Sequence, residues 1–522
     1  MGTALLSLLL LADPVDQAFL HRRIEALDTR YRAVARQQSA PAVRVRTAVV
    51  REVAHLPFDG PARAEAGRLL ARVVSEDRAY RVRAEAARAI GRIGTAPALR
   101  AMYGALFGAE GRKRKFALLY AVLPDALARL HHPDDMEWIA TQVLEPAAAG
   151  RASPVLREAG PLAHQLVALT LEGVARAEVR ALGPQIAKLA RSSVAGIRVA
   201  ALRGLATLDL ADPAIGRSLS DADPLVRAAA VAYPRLTPAQ IEAALKDQSP
   251  LVRSAALATA ARRPPREAIP LLIARLAQDT DRRVRLDLLE KLNELTGRDF
   301  GVDTDLWRAW WQAQREDFAG PVDRDRTGRV YFFDVGMRTA SVVFVIDVSA
   351  SMSRQDEQRI ARLEYAAREL GQAVQKLPPE TRFRVLAFAS EVRYFPDRQR
   401  EPGDKTDAAR ATRWLRSLKP AGATNTYGAL MQALSDPLEP DTIVLLSDGN
   451  PHRCAYQGKT YSEHEQILAE VRRVNRRRGI RIHTVALLSG VYSDDDAEDA
   501  ASAAEFLRRL ARENAGECRE VR

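Results

Sequence analysis

A short stretch near residue 347 carries oxygen-bearing side chains at every second position. Asp347, Ser349 and Ser351 follow five consecutive apolar residues, 342–346, which are typical of a strand buried on both faces of a parallel sheet. Side chains at the carboxyl end of such a strand point into the crevice where open α/β sheets bind ligands. A carboxylate and two hydroxyls converging there suit a hard divalent cation such as Mg²⁺. The alternative is an ordinary turn in which a serine caps the next helix.

Two later segments supply matching side chains. Thr424 lies in a small-residue loop that runs into a helical pattern, and Asp448 closes a second buried apolar strand at 441–448. The order and spacing of these residues resemble the metal-ion-dependent adhesion site of the von Willebrand factor type A domain. That site consists of D-x-S-x-S, then a threonine after a glycine-rich turn, then an aspartate at the end of a hydrophobic strand. Ala350 and Ala423 stand where glycine is common in the family.

The resemblance implies a site for one Mg²⁺ or Mn²⁺ ion, held by Asp347, Ser349, Ser351, Thr424 and Asp448. It also implies a non-enzymatic protein-interaction or adhesion function, in which an Asp or Glu of a protein partner completes the coordination of the metal. We predict that two residues just beyond the last aspartate contribute to the partner-binding rim, His452 and Arg453.

The elements around these residues alternate as in a doubly wound α/β sheet. The pattern predicts an amphipathic helix at 360–377, strands at 383–389 and 392–395, a helix at 406–418, a strand at 480–488, a helix at 500–514 and a strand at 518–521. The acidic stretch 494–499 is interpreted as a loop or as the N-terminus of the following helix. The sequence therefore predicts a Rossmann-like von Willebrand factor A domain at residues 341–522.

The N-terminal half has the pattern of short helices separated by Pro and Gly. An apolar-Arg-x-x-Ala phrase recurs in it, and its last four arginines, 29, 26 and 32 residues apart, are Arg198, Arg227, Arg253 and Arg285. This period resembles short HEAT-like repeats, in which helix pairs stack into a solenoid. We predict an all-α helical-repeat solenoid at residues 15–297, with an irregular helical bundle as the alternative.

Residues 298–340 join the two halves as a Trp-rich segment and linker. Trp307, Trp310 and Trp311 share one helical face, and such a stripe usually packs against a neighbour. We expect it to cap the solenoid or to contact the next domain, whereas an exposed stripe would offer a platform for a partner or a sugar. The combination of HEAT-like repeats, a Trp-rich segment and a type A domain resembles a group of bacterial proteins.

Composition and length bound the class of protein. The 522 residues, 47% of them hydrophobic and 28% charged, suit a multidomain globular chain. No apolar run reaches the ~20 residues of a membrane-spanning helix. Residues 1–12 resemble the apolar core of a signal peptide without a positive n-region, so we predict export, periplasmic or secreted, with a cytoplasmic location as the alternative. Cys454 and Cys518 form no disulfide framework, but one bond between them is possible.

Motifs and net charge bear on two other function classes, enzymes and nucleic-acid-binding proteins. The sequence has no G-x-S-x-G, H-E-x-x-H or P-loop motif, and no Lys or Arg placed in the metal motif to hold a phosphate, so it predicts no enzyme. The net charge of +12 makes nucleic-acid binding the main rival. The Ro ribonucleoprotein family similarly joins HEAT-like helices to a type A domain, so an RNA-binding scaffold is the alternative function. The arginine cluster at 472–478 is more typical of the last turn of a helix.

Overall fold

The computed structural model describes most of the chain, and two of the predicted segments fall outside the described residues. The described residues are 17–37, 39–56, 60–108, 122–151, 153–298, 300–316, 318, 320, 330–333, 335–337, 339–356, 358–397, 402–449, 451, 454–461, 464–475, 478–489 and 494–521. The predicted signal peptide at 1–12 and the predicted rim residues His452 and Arg453 lie outside them. The chain divides into two compact units, with the main boundary between Ile215 and Gly216.

The described part of the first unit is helical. Helices α1 to α12 are, in chain order, Gln17–Val34, Ala40–His55, Gly60–Glu76, Tyr80–Ile93, Ala96–Gly108, Leu123–Leu127, Pro133–Ile139, Glu145–Ala148, Pro154–Ala159, Ala163–Arg176, Gly183–Leu189 and Ala195–Thr207. Small and branched apolar side chains fill the spaces between the helices, and Ala62, Leu70 and Val82 have no exposed surface. The predicted all-α character of the N-terminal region is confirmed.

The helices that follow carry a repeated ion pair. Helices α13 to α19 are Pro213–Ser218, Pro224–Val231, Pro238–Leu245, Pro250–Ala260, Pro265–Gln278, Arg282–Thr296 and Thr304–Gln314. Arg227 donates two hydrogen bonds to Asp247, both 2.8 Å long, and Arg253 donates two to Asp279 at 2.8 and 3.0 Å. Each arginine also donates to backbone carbonyls in the turn before its own helix. Arg227 and Arg253 therefore each connect their own helix to the turn before the next arginine-bearing helix.

Two of the three tryptophans of α19 pack inward. Trp307 has no exposed surface and Trp311 is 7% exposed, while the indole N–H of Trp307 donates to the carbonyl of Gly301 over 2.9 Å. The rings of Phe300 and Phe318 contact this cluster. The packing role predicted for these two tryptophans is confirmed. In the part of the chain that the structure describes, no helix combines the length and apolarity needed to cross a bilayer.

The C-terminal part of the second unit is built on a six-stranded sheet. Strands β1 to β10 are Val330–Phe332, Val335–Met337, Ser341–Asp347, Arg382–Phe388, Val392–Phe395, Thr442–Ser447, Cys454–Tyr456, Lys459–Tyr461, Arg481–Leu487 and Cys518–Val521, and helices α20 to α24 are Arg362–Gln375, Ala408–Ser417, Thr426–Leu434, His464–Asn475 and Asp494–Glu513. The sheet order is β10-β9-β6-β3-β4-β5, with β5 antiparallel to β4 and the other neighbours parallel. The predicted fold class, a helical N-terminal region followed by a doubly wound α/β domain, is confirmed.

Strand β3 lies at the centre of this sheet, between β4 and β6. All seven of its residues are buried, which requires cover on both faces of the sheet. Ile346 pairs with Ala387 of β4 and with Leu446 of β6, so the three strands end at the same level. The loops that follow these strands therefore meet at one edge, as predicted for an open α/β sheet.

Charged side chains connect α18 to the amino-terminal ends of strands β6 and β9, at the end of the sheet opposite the loops after β3 and β6. Arg283 donates to Asp287 and, over 3.2 Å, to the hydroxyl of Thr442 in β6. Arg481 of β9 pairs with Asp287 and with Glu290, the latter over 3.1 Å. Burial opposes the ionisation of Asp287, yet the charges of Arg283 and Arg481 hold its pKa below the usual value. Helix α18 and the sheet thus share one buried ion network.

His483, in β9 near this network, is expected to make stability depend on pH. Burial, together with the charges of Arg481 and Arg283, lowers the pKa of His483 from 6.5 to about 3. The unfolded chain therefore binds this proton at a higher pH than the folded chain does, so the stability present above pH ~6.5 is lost as the pH falls toward 3. Between pH 8 and pH 5 we expect the free energy of unfolding in urea to fall by about 2 kcal/mol from this residue.

His483→Asn is the matched variant for that measurement. The ring Nδ1 of His483 accepts the backbone N–H of Glu517 over 3.2 Å, and the side-chain carbonyl of asparagine can occupy the position of Nδ1. The variant should lose about 2 kcal/mol of the pH dependence while other titrating groups contribute as before. An unchanged difference between pH 8 and pH 5 in the variant would show that His483 is not the source.

Candidate functional site

Asp347 ends β3 and orients two neighbouring segments. Its side chain is fully buried. Oδ1 accepts a hydrogen bond from the backbone N–H of Ser349 over 2.8 Å, which closes an Asx-type turn after the strand. Oδ2 accepts a hydrogen bond from the hydroxyl of Ser447, the last residue of β6, over 2.6 Å. One carboxylate therefore sets both the loop after β3 and the end of the adjacent strand.

The two serines of the motif lead from this turn to the second aspartate. The hydroxyls of Ser349 and Ser351 lie 3.1 Å apart, and Ser351 donates to Oδ1 of Asp448 over 2.9 Å. Ser349 and Asp448 are 1% and 6% exposed. The structure thus brings four of the five predicted residues into one hydrogen-bonded cluster, although Asp347 and Asp448 are 101 residues apart in the chain.

The fifth predicted residue, Thr424, lies on a loop that is bonded directly to the serine turn. The carbonyl of Gly422 accepts the N–H of Ala350 over 3.2 Å. Gly422 has a φ of +82°, and a Cβ there would lie 2.9 Å from the hydroxyl of Ser390, so both the conformation and the space require glycine. Thr424 is 7% exposed two residues later. The tight turn therefore holds the threonine loop against the loop after β3.

Negative charge dominates the ligand cluster itself. Burial and the charge of Asp448 raise the pKa of Asp347 to about 7, although hydrogen bonds from Ser349 and Ser447 act in the opposite direction. A positive charge between two carboxylates favours the ionised form of both. The cluster is therefore suited to a cation.

Arg362 is a site residue that the sequence analysis missed. It opens α20, and its Nη1 donates to Oδ2 of Asp448 over 2.6 Å. Its Nε donates to the carbonyl of Ser489, after β9, over 2.8 Å. The side chains of Arg362 and Asp448 are 3% and 0% exposed. The sequence carries no signal for this role, because an arginine in the first turn of a helix is ordinarily solvated. Ser447 was also not predicted, although its position directly before Asp448 could have indicated it.

The hairpin β7–β8 flanks the threonine loop. The side-chain amide of Asn425 exchanges two hydrogen bonds with the backbone of Ala455, at 2.9 and 3.0 Å. The thiol of Cys454 donates to the carbonyl of Thr424 over 3.4 Å, and no disulfide joins Cys454 to Cys518. The hairpin is thus bonded to the threonine loop beside the site. In the chain, it directly follows the two predicted rim residues, which lie outside the described residues.

The chemistry of the donors fits a hard cation. All five predicted residues offer oxygen, as carboxylate or hydroxyl, and Mg²⁺ and Mn²⁺ prefer such ligands. Within the described residues, no group of three or more His, Cys, Asp and Glu side chains could hold a metal ion. A zinc-type cluster is therefore absent from that part of the chain, and any metal at this edge would depend on the hydroxyls.

The arginine cluster at 472–478 lies at the end of α23, as predicted. Arg472 pairs with Glu513 over 2.9 Å, and Arg473 pairs with Glu470 over 2.8 Å. Arg476 and Arg477 lie outside the described residues. Of the three described arginines of this cluster, Arg472 and Arg473 are therefore engaged in ion pairs, and Arg478 donates to the carbonyl of Leu434 over 2.6 Å.

Comparisons with known proteins find relatives of part of the chain. The chain is 26% identical to the inter-alpha-trypsin inhibitor heavy chain H2 of Homo sapiens over 233 residues, which are 42% of this chain and 22% of that protein. It is also 26% identical to the Mus musculus protein of the same name over 220 residues, 40% of this chain and 21% of that protein. The chain thus spans about a fifth of the length of these relatives.

Two solved structures are similar at low TM-scores. A von Willebrand factor type A protein from Catenulispora acidiphila has a TM-score of 0.28 and 18% identity, covering 36% of this chain and 40% of that one. The RO (RSR) protein of Deinococcus radiodurans has a TM-score of 0.20 and 15% identity, covering 93% and 94%. The sequence model of the von Willebrand factor type A domain family matches residues 340–519. A sheet of mostly parallel strands lies over the same residues, so residues 340–519 are a von Willebrand factor type A domain.

Proposed function

We propose that the protein is a non-enzymatic interaction scaffold whose type A domain binds an acidic residue of a protein partner through a divalent cation. The residues that would hold one Mg²⁺ or Mn²⁺ ion are Asp347, Ser349, Ser351, Thr424 and Asp448. The observation that carries this proposal is the hydrogen-bonded cluster of two buried carboxylates and two hydroxyls at the carboxyl edge of the sheet. When bound, the ion supplies an open coordination position for a partner's carboxylate.

The charges of the site agree with an anionic partner. When both carboxylates are ionised, as a bound cation would favour, Asp347 and Asp448 contribute −2 and the guanidinium of Arg362 contributes +1, which leaves −1 for the side chains alone. With one divalent cation the sum becomes +1. A positive site at the rim of a sheet attracts a carboxylate and disfavours a cationic partner group. His452 and Arg453, next in the chain, are proposed to add specificity at this rim.

We propose that the helices of residues 15–297 are HEAT-like repeats that present the type A domain at 341–522, with 298–340 as the connecting segment. The arginine–aspartate pairs Arg227–Asp247 and Arg253–Asp279 support this, because the same contact recurs in two successive helix pairs. Export of the chain, with residues 1–12 as a signal peptide, completes the proposal.

Partner retention is expected to require the metal and Asp347. Immobilised wild-type protein and Asp347→Ala would be incubated with an extract of the source cells, in millimolar Mg²⁺ or in EDTA, and retained proteins identified. Proteins retained by the wild type should be lost in EDTA and from the variant, and competition with a soluble aspartate peptide should release them. Equal retention of proteins in EDTA and in Mg²⁺ would contradict the proposal. A separate gel-shift assay tests the RNA-binding alternative, which would be favoured if nanomolar protein bound structured RNA in a salt-sensitive manner.

A further inference from the structure

The metal cluster contains a positive charge of its own. Asp347 and Asp448 are both buried at the end of the sheet, and the buried guanidinium of Arg362 contacts Asp448. Buried charges without an opposite charge destabilise a fold strongly. The arrangement of Arg362 therefore bears on what holds this edge together when the cation is absent.

We propose that Arg362 is a built-in counter-cation that keeps the metal cluster formed without metal, so that its removal makes the folding of the type A domain depend on divalent cations. This inference rests on the proposed metal-binding function. Arg362 is a positioning residue, since its guanidinium holds Oδ2 of Asp448 and leaves Oδ1 to the hydroxyl of Ser351. The side chain is 3% exposed, so it acts on the site from inside the domain and cannot contact a partner.

The geometry gives the guanidinium a second task. Its Nη1 contacts Asp448 after β6, while Nε and Nη2 both donate to the carbonyl of Ser489 after β9. One arginine from the start of α20 thus links the ends of two adjacent strands, in a fork that lysine cannot reproduce. Without it, Asp448 keeps the hydrogen bond from Ser351 but loses its charge partner, and the nearby carboxylate of Asp347 repels it.

A second buried arginine of the same domain provides a matched comparison. Arg384 donates to Asp436 over 3.1 Å and to the carbonyls of Pro396 and Asp397 over 2.9 and 2.6 Å. Its side chain is 1% exposed and that of Asp436 is 0% exposed. The chemistry equals that of Arg362, one carboxylate plus backbone carbonyls, but Asp436 is not one of the five proposed ligands. Loss of this pair should destabilise the domain regardless of metal.

The test compares melting temperatures in EDTA and in saturating Mn²⁺ for the full chain and for Arg362→Gln, Arg362→Lys and Arg384→Gln. In EDTA we expect Arg362→Gln to melt roughly 10 °C below the wild type, and Mn²⁺ to restore at least half of that loss. Arg362→Lys keeps the charge but not the fork to Ser489, so in EDTA it should melt between Arg362→Gln and the wild type. Arg384→Gln should melt lower by a similar amount in both solutions.

Direct Mn²⁺ binding, followed by electron paramagnetic resonance, separates the two proposals. If the wild type binds no Mn²⁺, the proposed function fails. If the wild type binds Mn²⁺, but Mn²⁺ restores no more of the lost melting temperature in Arg362→Gln than in Arg384→Gln, Arg362 is purely structural and the inference is overturned. If Arg362→Gln folds only in Mn²⁺, the inference is supported most strongly. If both Arg362→Gln and Arg362→Lys are unfolded in EDTA and in Mn²⁺, the inference is overturned.

Discussion

Replacing Asp347 by alanine is expected to weaken Mn²⁺ binding by more than about 100-fold while the type A domain stays folded. Loss of partners that only orient a metal ligand typically weakens binding by about 10–100-fold, and Asp347 is itself one of the proposed ligands. The variant loses hydrogen bonds from the N–H of Ser349 and the hydroxyl of Ser447. It also loses a buried carboxylate whose ionisation is opposed by burial and by Asp448. These two effects offset each other in the free energy of unfolding.

The measurement is a Mn²⁺ titration beside a thermal melt followed by circular dichroism. Asp404→Ala is the control, because Asp404 lies far from the site. It follows Gly403, which pairs with Phe383 near the beginning of β4, whereas Asp347 lies at the carboxyl ends of the strands. This control should bind Mn²⁺ as the wild type does. Undiminished binding by Asp347→Ala would remove Asp347 from the ligand set, and an unfolded variant would assign it a structural role instead.

The elements that form the site could be predicted because each strand is a continuous apolar run. The predicted runs 342–346 and 441–448 correspond to β3, Ser341–Asp347, and β6, Thr442–Ser447. Polar residues placed after such strands must come together once the strands are parallel neighbours. The prediction that the Asp347 loop lies close to Asp448 also needed the resemblance to the type A domain, because an apolar run does not specify which strand it pairs with.

Arg362 could not be predicted, because nothing local distinguishes it from a solvated arginine. Its partners, Asp448 and the carbonyl of Ser489, lie 86 and 127 residues away in the chain. Only the packing of α20 beside the sheet brings them together.

The start of α24 differs slightly from the prediction. The acidic stretch at 494–499 forms the beginning of this helix, which was one of its two interpretations. The helix therefore begins six residues before the predicted residue 500.

The buried network between α18 and the sheet was also beyond reach from the sequence. Arg283 and Asp287 are four residues apart and have the spacing of an ordinary surface pair on a helix. In the structure both are 5% exposed, since Arg481 and the beginning of β6 cover them. A local pattern cannot distinguish a surface pair from a buried one when the covering strands lie more than 150 residues away.

Arg283→Leu is expected to lower the free energy of unfolding by about 3–5 kcal/mol, because it leaves the buried carboxylates of Asp287 and Asp441 with less positive charge. Arg282→Leu is the matched control: Arg282 is 49% exposed, lies 3.5 Å from the same Asp441, and its loss should cost at most about 1 kcal/mol. Urea unfolding of both variants at pH 8 tests the pair. Equal losses would mean that burial of the network contributes nothing to stability. A large loss for Arg283→Leu alone, with helix and sheet signals unfolding in one transition, would show that α18 and the type A domain unfold as one cooperative unit.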